Sequence, residues 1–410
     1  MNITDNLPSM LTGKALEDAF LQLPAYCPEI VDKNASQRML ELNNIYDIYV
    51  PSTMSKEIYT KLYTALFRSL QRKETKEAVI QANNIFRASS ANAVKSASVI
   101  GGSDCMTIIG DSGIGKSRTI AESIKLIVGD NFIEINDPFR KIIPCITVQT
   151  PYDSSVKSLL LEILKETDKH LSTNFYEHAI QSKTTTDILI MTVSQIALEH
   201  IGMIVVDEIQ NTINSRQGRN LVGCLTQLIN NSQIAIVMVG IPSCIDFFES
   251  EMFLARRAIG LRYKALPFAD EFIELCRVLF TYRYVKKQPV CTEELCYWLW
   301  NKTQGNISAL IGMVAGAQEI AILNGFEELD KNTLQMAYDD RLAAMKIFLR
   351  PRKKQYQRMR GKKQIIQEEP NNYPDAFDLT YAEIVREAKC KGEDPLRLLS
   401  EAGLIERIVL

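Results

Sequence analysis

Residues 108–123 read IIGDSGIGKSRTIAES. An apolar run ends in this stretch, a glycine-rich loop follows, and the residues after the loop have the composition of a helix. The spacing Gly110-x-x-x-x-Gly115-Lys116-Ser117 fits the P-loop pattern in full. In that pattern the glycines let backbone N–H groups curl around phosphate oxygens at the positive end of the following helix. The stretch therefore predicts a nucleotide-binding site.

The side chains of this loop have separate predicted roles. Lys116 would place its charge against the β- and γ-phosphates of ATP, and Ser117 would offer its hydroxyl to Mg²⁺. A coincidental glycine-rich turn is the alternative, but the apolar run before the loop and the helix after it argue against that interpretation. The other predicted nucleotide contacts come from the loop and the residue after it: Gly110, Asp111, Ser112, Gly113, Ile114, Gly115 and Arg118.

An acidic pair at the end of another apolar run supplies the second half of the predicted site. The pair lies in MIVVDEIQ, residues 203–210. Asp207 would hold Mg²⁺, directly or through water, and Glu208 would act as the general base that polarises the attacking water. The pair could instead be a helix N-cap. Together with the P-loop, it predicts an NTPase that hydrolyses its nucleotide rather than a P-loop kinase.

Two further positions are candidates for sensing or stabilising the phosphates. Ser243, in the turn after the apolar run IAIVMV, is within reach of the γ-phosphate, although the turn could simply join a strand to a helix. Arg256 and Arg257 lie in EMFLARRAIG, where ring-forming ATPases place an arginine finger that enters the site of a neighbouring subunit. Solvated surface arginines are the alternative. A finger would make assembly a condition of hydrolysis.

Apolar strands alternate with helices through the middle of the chain. This alternation predicts a parallel five-stranded sheet that is covered by helices on both faces. Residues 1–50 are predicted to be irregular, an amphipathic helix is predicted over 55–88, and residues 268–345 read as helix throughout. The predicted strands are 105–110, 142–149, 202–207, 234–239 and 261–266, and the predicted helices between them are 115–128, 154–166, 185–200 and 219–230.

Composition argues against several classes of protein. The 410 residues carry a net charge of −2, so any nucleic-acid binding must come from a local patch or from repeated subunits. Nine cysteines without a C-x-x-C pair, together with only three histidines, argue against a zinc site and predict reduced thiols. Because neither a long apolar run nor a signal-peptide pattern occurs, we expect a cytoplasmic protein without a membrane partner.

Several segments together resemble the AAA+ ATPases, and among them the TnsC/TniB transposition regulators of Tn-type mobile elements. They are the P-loop, VVDEIQ, the VGIPS turn, ARRA and the lid segment TQGNISALIGMVAGAQ. The segment IYVPSTMSKEIYTKLYTALFRSLQRK is also similar to the region that precedes the ATPase core in TnsC. The resemblance covers about residues 45–345. It departs from the family at Ile241, where relatives often carry Thr, and at Ser308-Ala309, where many carry a lid Arg.

The resemblance implies a domain order. We expect an AAA+ P-loop NTPase of the α/β class with a parallel five-stranded sheet, followed by a small helical lid and a tail. The implied boundaries are 1–90 for an N-terminal partner-binding region, 91–267 for the ATPase core, 268–348 for the lid, 349–378 for a basic linker and 379–410 for transposase-docking helices.

The resemblance also implies a function. The chain would be a slow, regulatory ATPase that uses ATP and Mg²⁺ to assemble into rings or helical filaments on double-stranded DNA. It would couple target-site selection, by a selector protein or an RNA-guided complex, to transposase or endonuclease subunits. The alternatives are a helicase-loader-like AAA+ ATPase and a nucleotide-gated signalling scaffold of the STAND type.

Two helix starts are the candidate DNA contacts. Both are expected on the same rim of the sheet, where backbone N–H groups and hydroxyls can meet phosphates. Ordinary capping by Ser154 and Thr185 is the alternative. The basic run RPRKKQYQRMRGKK, residues 350–363, is either a solvated linker or a further phosphate-binding element. The candidate contacts are Lys157, Lys183, Thr184 and Thr185.

Overall fold

The computed structural model of the chain describes residues 3–73, 105–129, 132–136, 139–151, 155–213, 218–232, 234–245 and 258–342. Arg256, Arg257, the basic run 350–363 and the predicted helices of 379–410 lie outside these residues. In chain order the described elements are α1 (Gly13–Phe20), α2 (Ala35–Leu42), α3 (Thr53–Lys73), β1 (Cys105–Gly110), α4 (Lys116–Val128), β2 (Ile133–Asn136), β3 (Phe139–Gln149), α5 (Val156–Leu171), α6 (Phe175–Gln181), α7 (Thr186–His200), β4 (Ile201–Asp207), α8 (Gln210–Ile213), α9 (Gly218–Ser232), β5 (Ala235–Gly240), β6 (Ala258–Tyr263), α10 (Asp270–Thr281), α11 (Glu293–Thr303), α12 (Ile307–Leu323) and α13 (Lys331–Arg341).

The strands form one sheet in the order β2-β3-β4-β5-β1-β6. Five of them, β3, β4, β5, β1 and β6, are parallel, which confirms the predicted five-stranded parallel sheet. The sixth strand, β2, was not predicted, and it pairs antiparallel with β3. Its four residues are too few to give a readable periodicity. The last parallel strand begins at Ala258 rather than 261, because it pairs with β1 from Cys105 onward.

The two faces of the sheet are covered by different helices, as predicted. Alternate residues of β4 point to opposite faces. Ile204 and Val206 pack in a core with α5, α7 and α9, whereas Met203 and Val205 pack in a second core with α3 and α4. Because both faces are covered, the central parallel strands β1, β4 and β5 are buried along their whole length and read as continuous apolar runs.

Residues 3–52, here called the N-terminal arm, are not irregular as the prolines suggested. They contain α1 and α2 and several 3-10 turns. Leu42, Ile45 and Ile48 of this arm pack inside the core of the lid, which consists of α10–α13. The helix predicted over 55–88 is described from Thr53 to Lys73 and buries Ile58, Leu62, Leu66 and Leu70. Tertiary packing therefore orders a segment whose short helices give little local signal.

An ion pair fastens the N-terminal arm to the lid. The Arg38 guanidinium donates to Glu327 Oε2 and Oε1 at 2.6 and 2.7 Å, and also to the carbonyl of Tyr284 at 3.0 Å. The side chain of Arg38 is only 4% exposed. Arm and lid therefore behave as one packed body at this contact.

The region predicted as helix after residue 268 contains the four lid helices. Within the described residues, no single helix is both long and apolar enough to cross a membrane. Among these residues, α11 and α12 reach the length and apolar composition of a membrane span only when they are taken together, and the pair is bent by 116° at its junction.

Candidate nucleotide site

The P-loop lies between the end of β1 and the start of α4. Gly113 and Gly115 have φ angles of 80° and 92°, in the left-handed region that glycine enters without a steric cost. Gly115 is the N-cap of α4, so the helix begins at Lys116. The two glycines are thus required by the backbone path of the loop, and the positive end of α4 faces it.

Lys116 lies folded back against the loop. Its Nζ donates to the carbonyls of Gly110 and Asp111, each at 2.8 Å, and the residue is 9% exposed. Burial lowers the pKa of Lys116, and the carboxylates of Asp207 and Glu208 oppose that shift. These carboxylates favour the charged ammonium, which is the form that binds phosphate.

The structure brings the two predicted Mg²⁺ ligands together. The Ser117 hydroxyl donates to Asp207 Oδ2 at 2.7 Å. A hydroxyl and a carboxylate oxygen are hard donors that suit Mg²⁺, which takes few protein ligands and completes its shell with water and substrate phosphate. The residue pair therefore fits the ion. The described residues contain no group of three or more His, Cys, Asp or Glu placed to hold a metal by themselves.

Glu208 has an unusual backbone conformation for its residue type. Its φ is 56°, in the left-handed region, where a non-glycine residue is strained. Its own N–H donates to Asp207 Oδ1 at 2.8 Å, and the next N–H, of Ile209, donates to Val239 on the neighbouring strand at 3.0 Å. The exposed carboxylate accepts a hydrogen bond from Gln210 Nε2. The predicted base is thus held in place by backbone bonds, and sequence analysis missed its side-chain partner, Gln210.

A cavity of about 410 Å³ opens over the P-loop. Its lining includes residues 112–119 together with Asp207 and Glu208. The N-terminal arm and the lid line it as well, with apolar residues that include Tyr46, Ile48, Val50, Leu275 and Ile311. The size of the cavity and its mixed polar and apolar lining suit a nucleotide. Sequence analysis assigned no nucleotide contact to the arm or the lid.

Arg118 was predicted to contact nucleotide, and it does line the cavity. Its guanidinium is bonded to the arm, however, where it donates to the carbonyls of Tyr46, at 2.7 Å, and Asp47. It also lies over the ring of Tyr49 at 5.3 Å. In this conformation Arg118 holds the arm against the P-loop helix.

The lid touches the P-loop directly. Asn306 Nδ2 donates to the carbonyl of Ser112 at 2.7 Å, and the backbone N–H of Ser308 donates to the carbonyl of Gly113 at 2.9 Å. These contacts occur at the start of α12, where the resemblance to AAA+ ATPases would predict an arginine. Sequence analysis noted Ser308 there but gave Asn306 no role.

Of the other candidates for contacting the phosphates, the structure describes Ser243 but not the two arginines. Gly240 and Ile241 line the cavity at the end of β5, whereas the exposed Ser243 is not among the described residues that line it. The physical reason is the 3-10 turn Pro242–Cys244, which buries Cys244 and leaves the Ser243 side chain outside. Arg256 and Arg257 lie outside the described residues, so the finger assignment stays a prediction.

The predicted DNA contacts lie at two helix starts. Lys157 is exposed in the first turn of α5, which follows β3. His200, the last residue of α7, lies 2.8 Å from the Lys141 carbonyl near the start of β3, so α7 begins toward the opposite edge, where β3 ends. The exposed Lys183 and Thr185 precede that beginning. Topology therefore puts both starts at the carboxyl edge of the sheet.

Helix capping explains the positions of only some of the polar residues at these two helix starts. Ser155, not Ser154, is the N-cap of α5 and accepts from the N–H of Ser158 at 3.3 Å. Thr185 is the N-cap of α7, but its hydroxyl makes no capping hydrogen bond. Thr184 shares a hydrogen bond with Ser182. The hydroxyl of Thr185 is thus not used by its own helix.

Comparison with protein-family models gives one match, over the sheet and its loops. The model described as "Bacterial TniB protein" matches residues 100–262. This segment of the chain is similar to the TniB family. The matched residues include the P-loop, Asp207 and Glu208, so the predicted resemblance is confirmed there. No curated protein sequence matches the chain significantly.

The chain is also similar to solved structures, though distantly. The Aeropyrum pernix ORC1 protein in complex with DNA has a TM-score of 0.40 and 13% identity, and the match covers 66% of each chain, just under two thirds of the length of ORC1. The Aeropyrum pernix ORC2 protein in ADPNP-ADP complexes has a TM-score of 0.41 and 15% identity, with 65% of this chain and 67% of that chain covered. Drosophila ORC bound to DNA has a TM-score of 0.39 and 12% identity, with 82% and 81% covered. Similarity at this level says nothing about how this chain acts.

Proposed function

We propose that this chain is an ATP-dependent regulator that assembles as rings or helical filaments on double-stranded DNA and couples target-site selection to a transposase. One observation carries the proposal. Within the segment that is similar to the TniB family, Ser117 and Asp207 are bonded beside Lys116 in the wall of a nucleotide-sized cavity. This arrangement supports a nucleotide switch, and the TniB family supports transposition as its setting.

The proposed reaction is slow hydrolysis of ATP. Lys116 and the P-loop N–H groups hold the phosphates, and Ser117 and Asp207 hold Mg²⁺. When bound, the ion supplies positive charge that stabilises the phosphate oxygens. Glu208 accepts a proton from the attacking water. Gln210 donates a hydrogen bond to the Glu208 carboxylate, which orients the proposed base.

We propose that assembly supplies an arginine from the neighbouring subunit and multiplies the contacts with DNA. Arg256 or Arg257 of one copy would complete the site of the next, which links hydrolysis to oligomerisation. With a net charge of −2, a single chain has no general attraction for DNA. Repeating the rim of Lys157, Lys183, Thr184 and Thr185 around a ring multiplies weak phosphate contacts into firm binding.

The experiment that tests the proposal is electron microscopy of the purified full chain. Four samples are compared, with and without a non-hydrolysable ATP analogue and with and without duplex DNA. Rings or filaments that need both components support the proposal. A chain that stays monomeric on DNA with every adenine nucleotide refutes it. A helicase loader should assemble only with a helicase, and a signalling scaffold should assemble without regard to DNA.

A pair of matched variants tests the DNA rim. Lys157→Ala with Lys183→Ala should weaken duplex binding in the presence of nucleotide and reduce the salt dependence of that binding. The control is Lys165→Ala with Lys169→Ala, which removes the same charge from α5, where both lysines are exposed and paired with glutamates one turn away. Equal effects of the two double variants would mean that net charge, and not the rim, determines binding.

A further inference from the structure

Four consecutive carbonyl groups of the P-loop, those of residues 110–113, all accept hydrogen bonds. The first two accept from Lys116, which belongs to the loop itself. The last two accept from the lid, where Asn306 Nδ2 donates at 2.7 Å and the Ser308 N–H donates at 2.9 Å. Half of these bonds therefore come from a separate part of the chain.

The lid approaches the loop closely at this point. A Cβ atom on Gly113 would lie 2.7 Å from Asn306 Oδ1, so the contact requires glycine there. Asn306 is 8% exposed, and its two side-chain atoms have different partners. The Oδ1 atom caps α12 by accepting from the N–H of Ala309 at 3.0 Å, while Nδ2 donates to Ser112. Helix capping and the P-loop contact can therefore be separated by substitution.

Fixing a carbonyl also fixes the N–H that follows it. In a planar trans peptide the carbonyl of one residue and the N–H of the next point in opposite directions. The lid bonds to the Ser112 and Gly113 carbonyls therefore set the directions of the N–H groups of Gly113 and Ile114. Such N–H groups are the phosphate ligands of a P-loop.

We infer that Asn306 is a positioning residue of the phosphate cradle, through which lid docking and phosphate binding are coupled. The inference rests on the proposed nucleotide-binding function. A docked lid holds the loop in the conformation that binds phosphate, and by reciprocity bound phosphate stabilises the docked lid. The neutral amide acts on the loop backbone, so it needs no charged contact with the nucleotide.

The test uses the full chain and the variant Asn306→Ser. Serine is a good N-cap, so α12 keeps its start, but its side chain is too short to reach the Ser112 carbonyl. Affinities for ATP, inorganic tripolyphosphate and adenosine are measured by competition against a fluorescent ATP analogue. We expect the variant to bind ATP and tripolyphosphate about fivefold more weakly, as for the loss of one hydrogen bond, and to bind adenosine as the wild type does.

Two further variants sharpen the result. Asn306→Asp keeps the cap oxygen but replaces the donor by an acceptor, and it should weaken both phosphate ligands at least as much as Asn306→Ser. Thr292→Ala removes the N-cap of α11, a lid helix whose cap does not touch the P-loop, and should leave all three affinities unchanged.

The outcomes are distinct. Wild-type affinity of Asn306→Ser for ATP overturns the inference, and so does an equal loss for adenosine and ATP, which indicates a general disturbance of the lid. If the wild-type chain itself binds neither ATP nor tripolyphosphate, the proposed function fails.

Discussion

The ion pair between Arg38 and Glu327 gives a prediction whose size follows from the structure. In Glu327→Ala the Arg38 guanidinium, 4% exposed, loses its carboxylate partner and keeps the hydrogen bond to the Tyr284 carbonyl. Removing one partner of a buried ion pair costs about 3–5 kcal/mol. Because the side chain of Glu327 is still 20% exposed, we expect the lower end of this range, about 3 kcal/mol of the free energy of unfolding.

The assay is urea unfolding followed by tryptophan fluorescence. The chain has two tryptophans, Trp298 and Trp300, and both lie in the lid helix α11, so the signal reports the lid alone. The matched control is Glu328→Ala, which breaks the adjacent pair with Lys287, whose side chains are 45% and 62% exposed. We expect no measurable shift of the midpoint for this control. Equal midpoints for Glu327→Ala and Glu328→Ala would refute the reasoning.

The effect should also depend on pH in a defined direction. The hydrogen bonds from Arg38 lower the pKa of Glu327 below its ordinary value of 4.5, and burial opposes this shift. A lowered folded-state pKa contributes stability at pH values above the ordinary value, and the contribution is lost as the pH falls through the lowered one. The difference between the wild type and Glu327→Ala should therefore be full at neutral pH and shrink in acid. A constant difference down to low pH would count against the ion pair as its cause.

Three further predictions concern the nucleotide cycle. Lys116→Ala should weaken ATP binding at least tenfold, because a charge-assisted contact to phosphate is lost. Calorimetry measures the affinity, and an unchanged value would contradict the role assigned to Lys116. Glu208→Gln should bind ATP within about twofold of the wild type but hydrolyse it at least 100-fold more slowly, so that its assemblies persist on DNA. A wild-type rate of phosphate release would exclude Glu208 as the base. Deleting residues 364–410 should spare ATP and DNA binding but reduce transposase recruitment in a pull-down, and failure of the shortened chain to fold would show a structural role instead.

The parts of the fold that sequence predicted well are those with strong local signals. The strand 105–110 and the start of α4 were predicted to within a residue, because a buried apolar run and a glycine-rich loop mark them. The start of β6 is set by pairing with β1, and β2 exists only as the partner of β3. Neither dependence is visible in the local sequence, so one strand was misplaced and the other was missed.

The residues of the candidate site also differ in whether the local sequence identifies them. Lys116, Ser117, Asp207 and Glu208 could be named because charge and spacing identify them. Asn306 could not, because it is neutral and its partner Ser112 lies 194 residues away in the chain. In general, the residues that hold a phosphate have recognisable chemistry. Those that shape the surrounding cavity are recognisable only by their neighbours in the folded chain.

The cavity wall extends beyond the segment that is similar to the TniB family. The segment similar to the TniB family, residues 100–262, contains the P-loop part of the cavity wall but neither the arm residues 46–55 nor the lid residues 266–311 that line the rest. An excised fragment with those limits would keep the P-loop, Asp207 and Glu208 and lose every arm and lid residue of the wall, the charged Glu271 among them. A family boundary drawn from sequence similarity therefore leaves out that part of the cavity wall.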